Sequence, residues 1–590
     1  MLLYSLLLAF VFPQCVIMSS LRKIELLFVT SGNDGTTTSS ASTVPSQPRP
    51  GDDPRRRLRQ VQHLLQLALP NGRTITNAGL AFIQTFTKLQ SLELQRCELL
   101  TGAGISRLAT LSQLQRLNVR GGGNFTGSSL SAMRMLTHLS LHGCHNVTED
   151  SIHKISFLGK LQHLDFSGCP NITGAALCNV TSLTHLYLRH CSDVSDSGLS
   201  GICNLSQLRR LELSDCRNIV GTCLRNLPEL SHLVLCGSRS VTDDGLRGLM
   251  TLPHLQFLDL RYCVNVTGST ICNIPGLRVL DLGECANITD PSLRGIFSTL
   301  SQLQHLELTN CVNITDAGLA TNPASSQLQT LILNFCGHIT GASLVSFPSL
   351  VNIELIGCTN VTDAGLSGLA TLSQLRRLRL SSCGSITGAF LLNLPMLAHV
   401  ELSGCAKITD AGLSGLATLP QLRYLDLSRC GNITGSSLCH MSALVQLDLS
   451  GCVSITDMHL TGLASLPQLQ SLDVSYCNNI TGVGLRDIIA LTHLDVSGSA
   501  KISDEGLTCF ATTLHQLQSL NVSRCGNITG AGLCNLPTTL TRLGVSGCTS
   551  VTDAVLSSIS AVLPRVRFLG LDTCVKVSHD SLAQFRGHRH

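Results

Sequence analysis

Cys405 and Cys430 occupy matching places in LSGCAKIT and LSRCGNIT, and the chain keeps returning a cysteine to that place. Recurrent cysteines support three chemistries: a disulfide framework, a metal centre, or thiols that serve the backbone as small buried donors. A metal centre needs clustered ligands, yet the sequence has no C-x-x-C pair and the recurring positions lie 22 to 26 residues apart. Of 22 such positions 18 are Cys; Gly72, Gly122, Ser238 and Ser499 fill the others, small residues with no need of a covalent partner. The spacing is therefore read as a ladder of structural thiols at a strand-to-loop bend, where loop amides need a partner. Many reduced thiols point to a reducing cytoplasm or nucleus. Cys178, Cys272, Cys439 and Cys534, in L-C-x-[LVIM] contexts, read as fillers of the core on the opposite side.

A second set of residues could do recognition chemistry. An acid stands between two apolar strand residues in 12 of 22 repeats: Glu93, Asp165, Glu212, Asp259, Asp281, Glu307, Glu354, Glu401, Asp426, Asp448, Asp473 and Asp495. Two positions earlier runs a row with His138, His163, His185, His232, His305, His399 and His493, together with Arg116, Arg210, Arg377 and Arg542. Tyr187, Phe257, Tyr262, Phe335, Tyr424, Tyr476 and Phe568 read as outward strand aromatics, the type of residue on which binding energy concentrates. One reading is a striped surface for a basic, protein-sized ligand, with histidines that make binding pH-sensitive. The other is two rows that merely solvate an exposed sheet. The many His, Asp and Cys residues recur with the repeat, no nucleophile is singled out, and no glycine loop precedes a helix in a phosphate-cradling pattern. The chain is thus expected to be no enzyme and to use no cofactor or metal.

The elements that must position these residues follow from one pattern, L-x-x-L-x-L-x-x-C-x-x-I-T-[DG]-x-x-L-x-x-L, running from about Leu58 onward. Alternation in Leu425-Asp426-Leu427-Ser428 predicts a strand with both leucines inward and Asp426 on the open face. Thr409 or Asp410 then caps a short helix that places Leu413, Leu416 and Leu419 on one face. After I-T-G the return is three residues shorter and predicts a single turn or a 3₁₀ segment. Long and short returns alternate, so the larger unit is a pair of repeats of 47 residues. Strands about 4.8 Å apart on one side and helices on the other imply a curved stack.

This pattern resembles the cysteine-containing subclass of leucine-rich repeats found in F-box substrate receptors of ubiquitin ligases and in the antagonist-of-mitotic-exit family. The resemblance covers roughly residues 60 to 590. It implies an α/β leucine-rich-repeat solenoid, a curved right-handed superhelix with parallel strands inside and short helices or 3₁₀ turns outside. It also implies a protein partner on the concave face and, for the F-box members, a Skp1-type adaptor. The candidate contacts are Tyr187, Phe257, Tyr262, Phe335, Tyr424 and Tyr476, with Asp259, Glu307, Glu354, Glu401, Asp426, Asp448 and Asp473, and His185, His232, His305 and His399. An F-box is a helical segment of about forty residues that opens with Leu-Pro, and residues 1–60 contain no such segment.

Residues 1–30 carry an apolar run from Leu2 to Phe12, read either as a secretory signal or as a stretch ahead of a true start at Met18. Ser, Thr, Pro and Gly dominate residues 31–54, which read as a disordered tether; the repeats fill 55–590, with a cap over 55–70. Lys plus Arg (41) nearly balance Asp plus Glu (37), which disfavours nucleic acid and membrane surfaces as main partners. Sequons at Asn146, Asn171, Asn265, Asn313, Asn360, Asn432 and Asn527 arise because the repeat itself spells N-[IV]-T, and read as a by-product of it.

Overall fold

The computed structural model describes residues 65–578 apart from 70, 71, 74, 275, 321–326 and 575; the expected signal or start segment, the tether and most of the cap lie outside the described residues. The described chain divides into two compact units between Cys285 and Ala286. In the first, ten strands from Gln66–Leu69 to Val279–Asp281 pair in parallel in chain order. In the second, twelve strands from His305–Glu307 to Phe568–Gly570 do the same. Most strands are three residues long, as in Tyr424–Asp426, where only Leu425 points inward. Leu425 and Leu427 are both fully buried, as the alternation requires.

The return segments follow the leucine spacing. After I-T-G most are 3₁₀, as in Ala342–Ser346 and Leu438–His440, while the return after Ile386-Thr387-Gly388 is turns alone. After I-T-D some begin with one α turn, such as Asp363–Leu366 and Asp457–Leu460. The segment expected to be a short helix after Thr409-Asp410 is instead 3₁₀ over Gly412–Thr418. Three residues per turn stack Leu413, Leu416 and Leu419 on one buried face, which the wider α turn would splay. The Thr409 hydroxyl accepts from the Gly412 amide at 3.2 Å, so threonine is the cap.

Most cysteines of the ladder donate their thiol to a carbonyl of the preceding repeat, as Cys405 does to Leu380 O at 3.1 Å and Cys430 to Leu402 O at 3.2 Å; Cys97 bonds Gln95 O of its own repeat instead. The partner is thus a carbonyl rather than the expected loop amide. Ser238 and Ser499 reproduce the bond, to Leu213 O at 2.7 Å and Val474 O at 3.0 Å, and also accept from the amides of Cys216 and Cys477. The described cysteines are free thiols. Burial pushes the Cys430 thiol up to about 11 and the Cys405 thiol to about 12, so both stay protonated as donors. Cys178, Cys272, Cys439 and Cys534 are not core fillers. They are partly exposed, and each thiol bonds a carbonyl three or four residues back in its own return segment.

Two further ladders bind repeat to repeat. Asparagine side chains of the N-[IV]-T run donate to a loop carbonyl of the repeat before, as Asn265 does to Arg239 O and Asn432 to Ala406 O, both at 2.8 Å. The sequon thus has a structural reason. The carboxylate of Asp410 reaches forward instead of capping its own helix. It accepts from the amides of Thr434 (2.8 Å) and Gly435 (2.9 Å) and from the Thr434 hydroxyl (2.9 Å). Asp363 and Asp457 clamp the Thr-Gly amides that follow them in the same way. The receiving glycines are left-handed, with φ of 93° at Gly435 and 100° at Gly482, a conformation open to glycine at little cost. A clamp in one repeat and its glycine in the next explain why the larger unit holds two repeats.

Candidate functional site

The strands leave one face uncovered by the return segments, and side chains at the first and third strand positions stand on it in register. In the second unit Tyr424, Glu401, His399 and Glu354 come together through Arg379, an arginine at the third strand position where twelve other repeats carry an acid. Its guanidinium lies 3.2 Å from Glu354 and 2.6 Å from Glu401. Glu401 also pairs with His399 Nε2 at 2.7 Å, and the His399 ring stacks on Tyr424 with centroids 4.1 Å apart. Partial burial disfavours a charged Glu401, but His399 and Arg379 outweigh it and hold the carboxyl below its usual range. Burial, then the neighbouring carboxylates of Asp426 and Glu401, pushes the Tyr424 hydroxyl up to about 12. The result is a half-buried polar network whose members hold one another in place.

Beyond it Asp426, Asp448, Asp473 and Asp495 occupy paired positions on four successive strands. Each accepts the amide two residues on (Ser428, Ser450, Ser475, Ser497) at 2.8 Å, so the aspartate first serves to close its own turn. Burial and then the adjacent carboxylates raise Asp426 and push Asp473 up to about 6. Glu307 closes its turn likewise, on the Thr309 amide, and His305 of the same strand is pushed down by burial.

In the first unit His185 belongs to a stack with His163 and His138, each successive pair 4.0 Å apart. His232 stacks on Phe257 at 5.6 Å. Tyr187 lies under the guanidiniums of Arg189 (5.9 Å) and Arg210 (5.8 Å), and Arg189 bonds Glu212. Asp259 and Asp281 share Arg261, at 2.7 and 3.0 Å. Arg189 and Arg261 sit two residues beyond the acid row, a position the sequence reading left out; the L-x-L-R spelling was the available signal.

Three expected strand aromatics are not in strands. Tyr262, Phe335 and Tyr476 occupy the turn immediately before the cysteine position, with φ of 60°, 60° and 56°. At every described repeat this residue is left-handed, and glycine fills it in nine of them. The aromatics are about half exposed: 46% for Tyr262, 55% for Phe335 and 49% for Tyr476. Phe335 and Tyr476 lie over the glycines of the next turn, where a Cβ on Gly357 or Gly498 would come within 2.5 or 2.6 Å of the ring. The Tyr476 hydroxyl also accepts from Arg524 at 3.1 Å.

A family model described as Leucine Rich repeat matches residues 181–203, 393–417, 466–488 and 490–511. Each matched segment contains one strand and the turn after it: His185–Tyr187, His399–Glu401, Ser471–Asp473 and His493–Asp495. The fold is a leucine-rich-repeat solenoid. None of the curated proteins compared with the chain matches it. Among the described residues no helix is long and apolar enough to cross a membrane. Leucine-rich repeats generally bind protein partners, and here the strand face carries organised charge and the turn beside it exposed aromatic surface.

Proposed function

We propose that the protein is a non-catalytic interaction scaffold that binds a protein partner on its strand face. One observation carries this reading: Tyr262, Phe335 and Tyr476 hold a backbone conformation that costs a side-chain-bearing residue about 1–2 kcal/mol, and leave half of each ring in water. Neither the core nor the turn requires an aromatic there, since glycine serves elsewhere. A rigid aromatic anchor beside a pre-ordered polar network is what a protein interface uses at its centre.

The test is site-specific photocrosslinking in the native cells, with benzoylphenylalanine at Phe335, Tyr424 or Tyr476 and, as control, at Val345 in the 3₁₀ segment Ala342–Ser346. A discrete adduct from the strand-side positions that is absent at Val345 supports the reading; adducts at Val345 alone would sink it. Substrate recognition in ubiquitin ligation is the narrower reading, and the L-x-x-L-x-L-x-x-C-x-x-I-T-D-x-G-L resemblance supports it. A Skp1-type adaptor copurifying with the chain is the result it requires.

A further inference from the structure

The first strand positions of Arg116–Arg120, His138–Ser140, His163–Asp165, His185–Tyr187 and Arg210–Glu212 form a line across five adjacent strands: Arg116, His138, His163, His185, Arg210. At about 4.8 Å per strand the line is about 19 Å long, the reach of about six extended residues. Its centre is the stack of three parallel imidazoles. The Thr137 hydroxyl lies 3.2 Å from Gln115 O and 2.8 Å from His138 Nδ1. The Thr184 hydroxyl lies 3.1 Å from Gln162 O and 2.9 Å from His185 Nδ1. Nδ1 of both rings is thus engaged within the protein, and a second proton turns each ring into a cation with an Nε2–H to donate.

The surroundings hold that proton off. Burial first, then Arg116 and the neighbouring imidazoles, push His138 and His163 down; burial, His163 and Arg210 push His185 down to about 4. Carboxylates on the same face are already engaged. Asp165 accepts from Ser140 and from the Ser167 amide, and Glu212 is held by Arg189 at 2.6 Å, with Arg210 3.8 Å away. In the residues just before these strands, Arg209 faces Glu229 at 3.7 Å, while Gln115, Thr137, Gln162 and Thr184 are neutral. Next along the row His232 stacks on Phe257. At one end of the line the buried Nε of Arg210 has no acceptor among the described residues.

We propose that this line is a docking track for an acidic peptide segment of a protein partner, and that the segment's carboxylates bind as the three imidazoles take up protons. Two fixed arginines anchor the ends of the segment, and each imidazolium offers one Nε2–H to a carboxylate. Because the free imidazoles are neutral, binding draws protons from solution and strengthens as pH falls from about 7 towards 5. The inference rests on the strand-face reading above and gives the first unit's partner a charge.

The probe is a fluorescein-labelled octa-aspartate peptide titrated with the full chain at constant ionic strength. Anisotropy should show binding about tenfold or more tighter at pH 5.5 than at pH 7.5. Calorimetry in two buffers of different ionisation enthalpy should show proton uptake on binding. The triple variant H138Q/H163Q/H185Q should lose that pH gain while keeping the wild-type circular dichroism melt. His163→Gln alone, with less effect on folding, should reduce the gain and the proton uptake together. No binding at pH 5.5, an unchanged pH dependence in both variants, or equally tight binding of a single-stranded oligonucleotide would overturn the acidic-peptide track. If the peptide fails while crosslinks at Tyr424 and Tyr476 persist, this inference falls and the strand-face reading stands.

Discussion

Cys430 and Leu427 are both fully buried, but they do different work. Leu427 supplies volume, and its replacement by alanine leaves a cavity that should cost about 2–5 kcal/mol in a urea melt. Cys430 supplies a donor to Leu402 O, and serine supplies the same donor at Ser238 and Ser499. Cys430→Ser should therefore cost under about 1 kcal/mol. Cys430→Ala, which leaves Leu402 O to the Cys405 amide alone, should cost more than serine, about 1–2 kcal/mol. Equal and severe losses for serine and alanine would mean that the thiol's size, and not its hydrogen bond, selects cysteine. The recurrence of the cysteine was plain in the sequence, and so was its tolerance of serine. Which backbone group it satisfies was not, because the acceptor lies in the preceding repeat, 28 positions back.

At the scale of elements, the carboxylate clamps make neighbouring return segments interdependent. Asp410→Ala removes bonds to Thr434 and Gly435, and should cost about 1–2 kcal/mol with the nearest glycine turn loosened. Partial burial opposes ionisation of Glu149, Asp196, Asp316 and Asp410, but their amide and hydroxyl partners win and hold all four below the usual carboxyl range. A depressed folded-state value means stability is fully present above the unfolded value of about 4 and is lost as pH falls through the folded one. The urea midpoint should fall steeply below pH 4, and less steeply in Asp410→Asn. Asp473 has the opposite sign. Its folded value of about 6 lies above the unfolded one, so its contribution worsens as pH rises from about 4 to 6. Asn521 closes its turn onto the Ser523 amide as the aspartates do, which shows that asparagine fits this place. Asp473→Asn should thus raise stability at pH 7.5 by up to about 1 kcal/mol, and the gain should vanish by pH 4.5. A gain that persisted at pH 4.5 would point to packing instead of charge.

At the scale of the whole molecule, the period of the leucines made the solenoid legible. Each repeat exposes a face that only a neighbour can cover, so the same spelling returns wherever the chain stacks. What escaped the sequence reading is what repeats share or alternate. The left-handed turn was hidden because Gly, Arg, Tyr, Phe and Asn all occupy it. Arg379 was missed because it links Glu354 to Glu401 from between them, a relation visible only across three strands. Since bonds run from each repeat to the next, damage within the second unit should spread by neighbours. In Leu427→Ala, hydrogen exchange should quicken first at the strands His399–Glu401, Tyr424–Asp426 and Gln446–Asp448. Protection should be retained longest at Arg542–Gly544, five strands along. Exchange that rose by the same factor at Gln446–Asp448 and Arg542–Gly544 would mean the unit opens as one body, and its stability would then belong to the stack and to no pair of repeats.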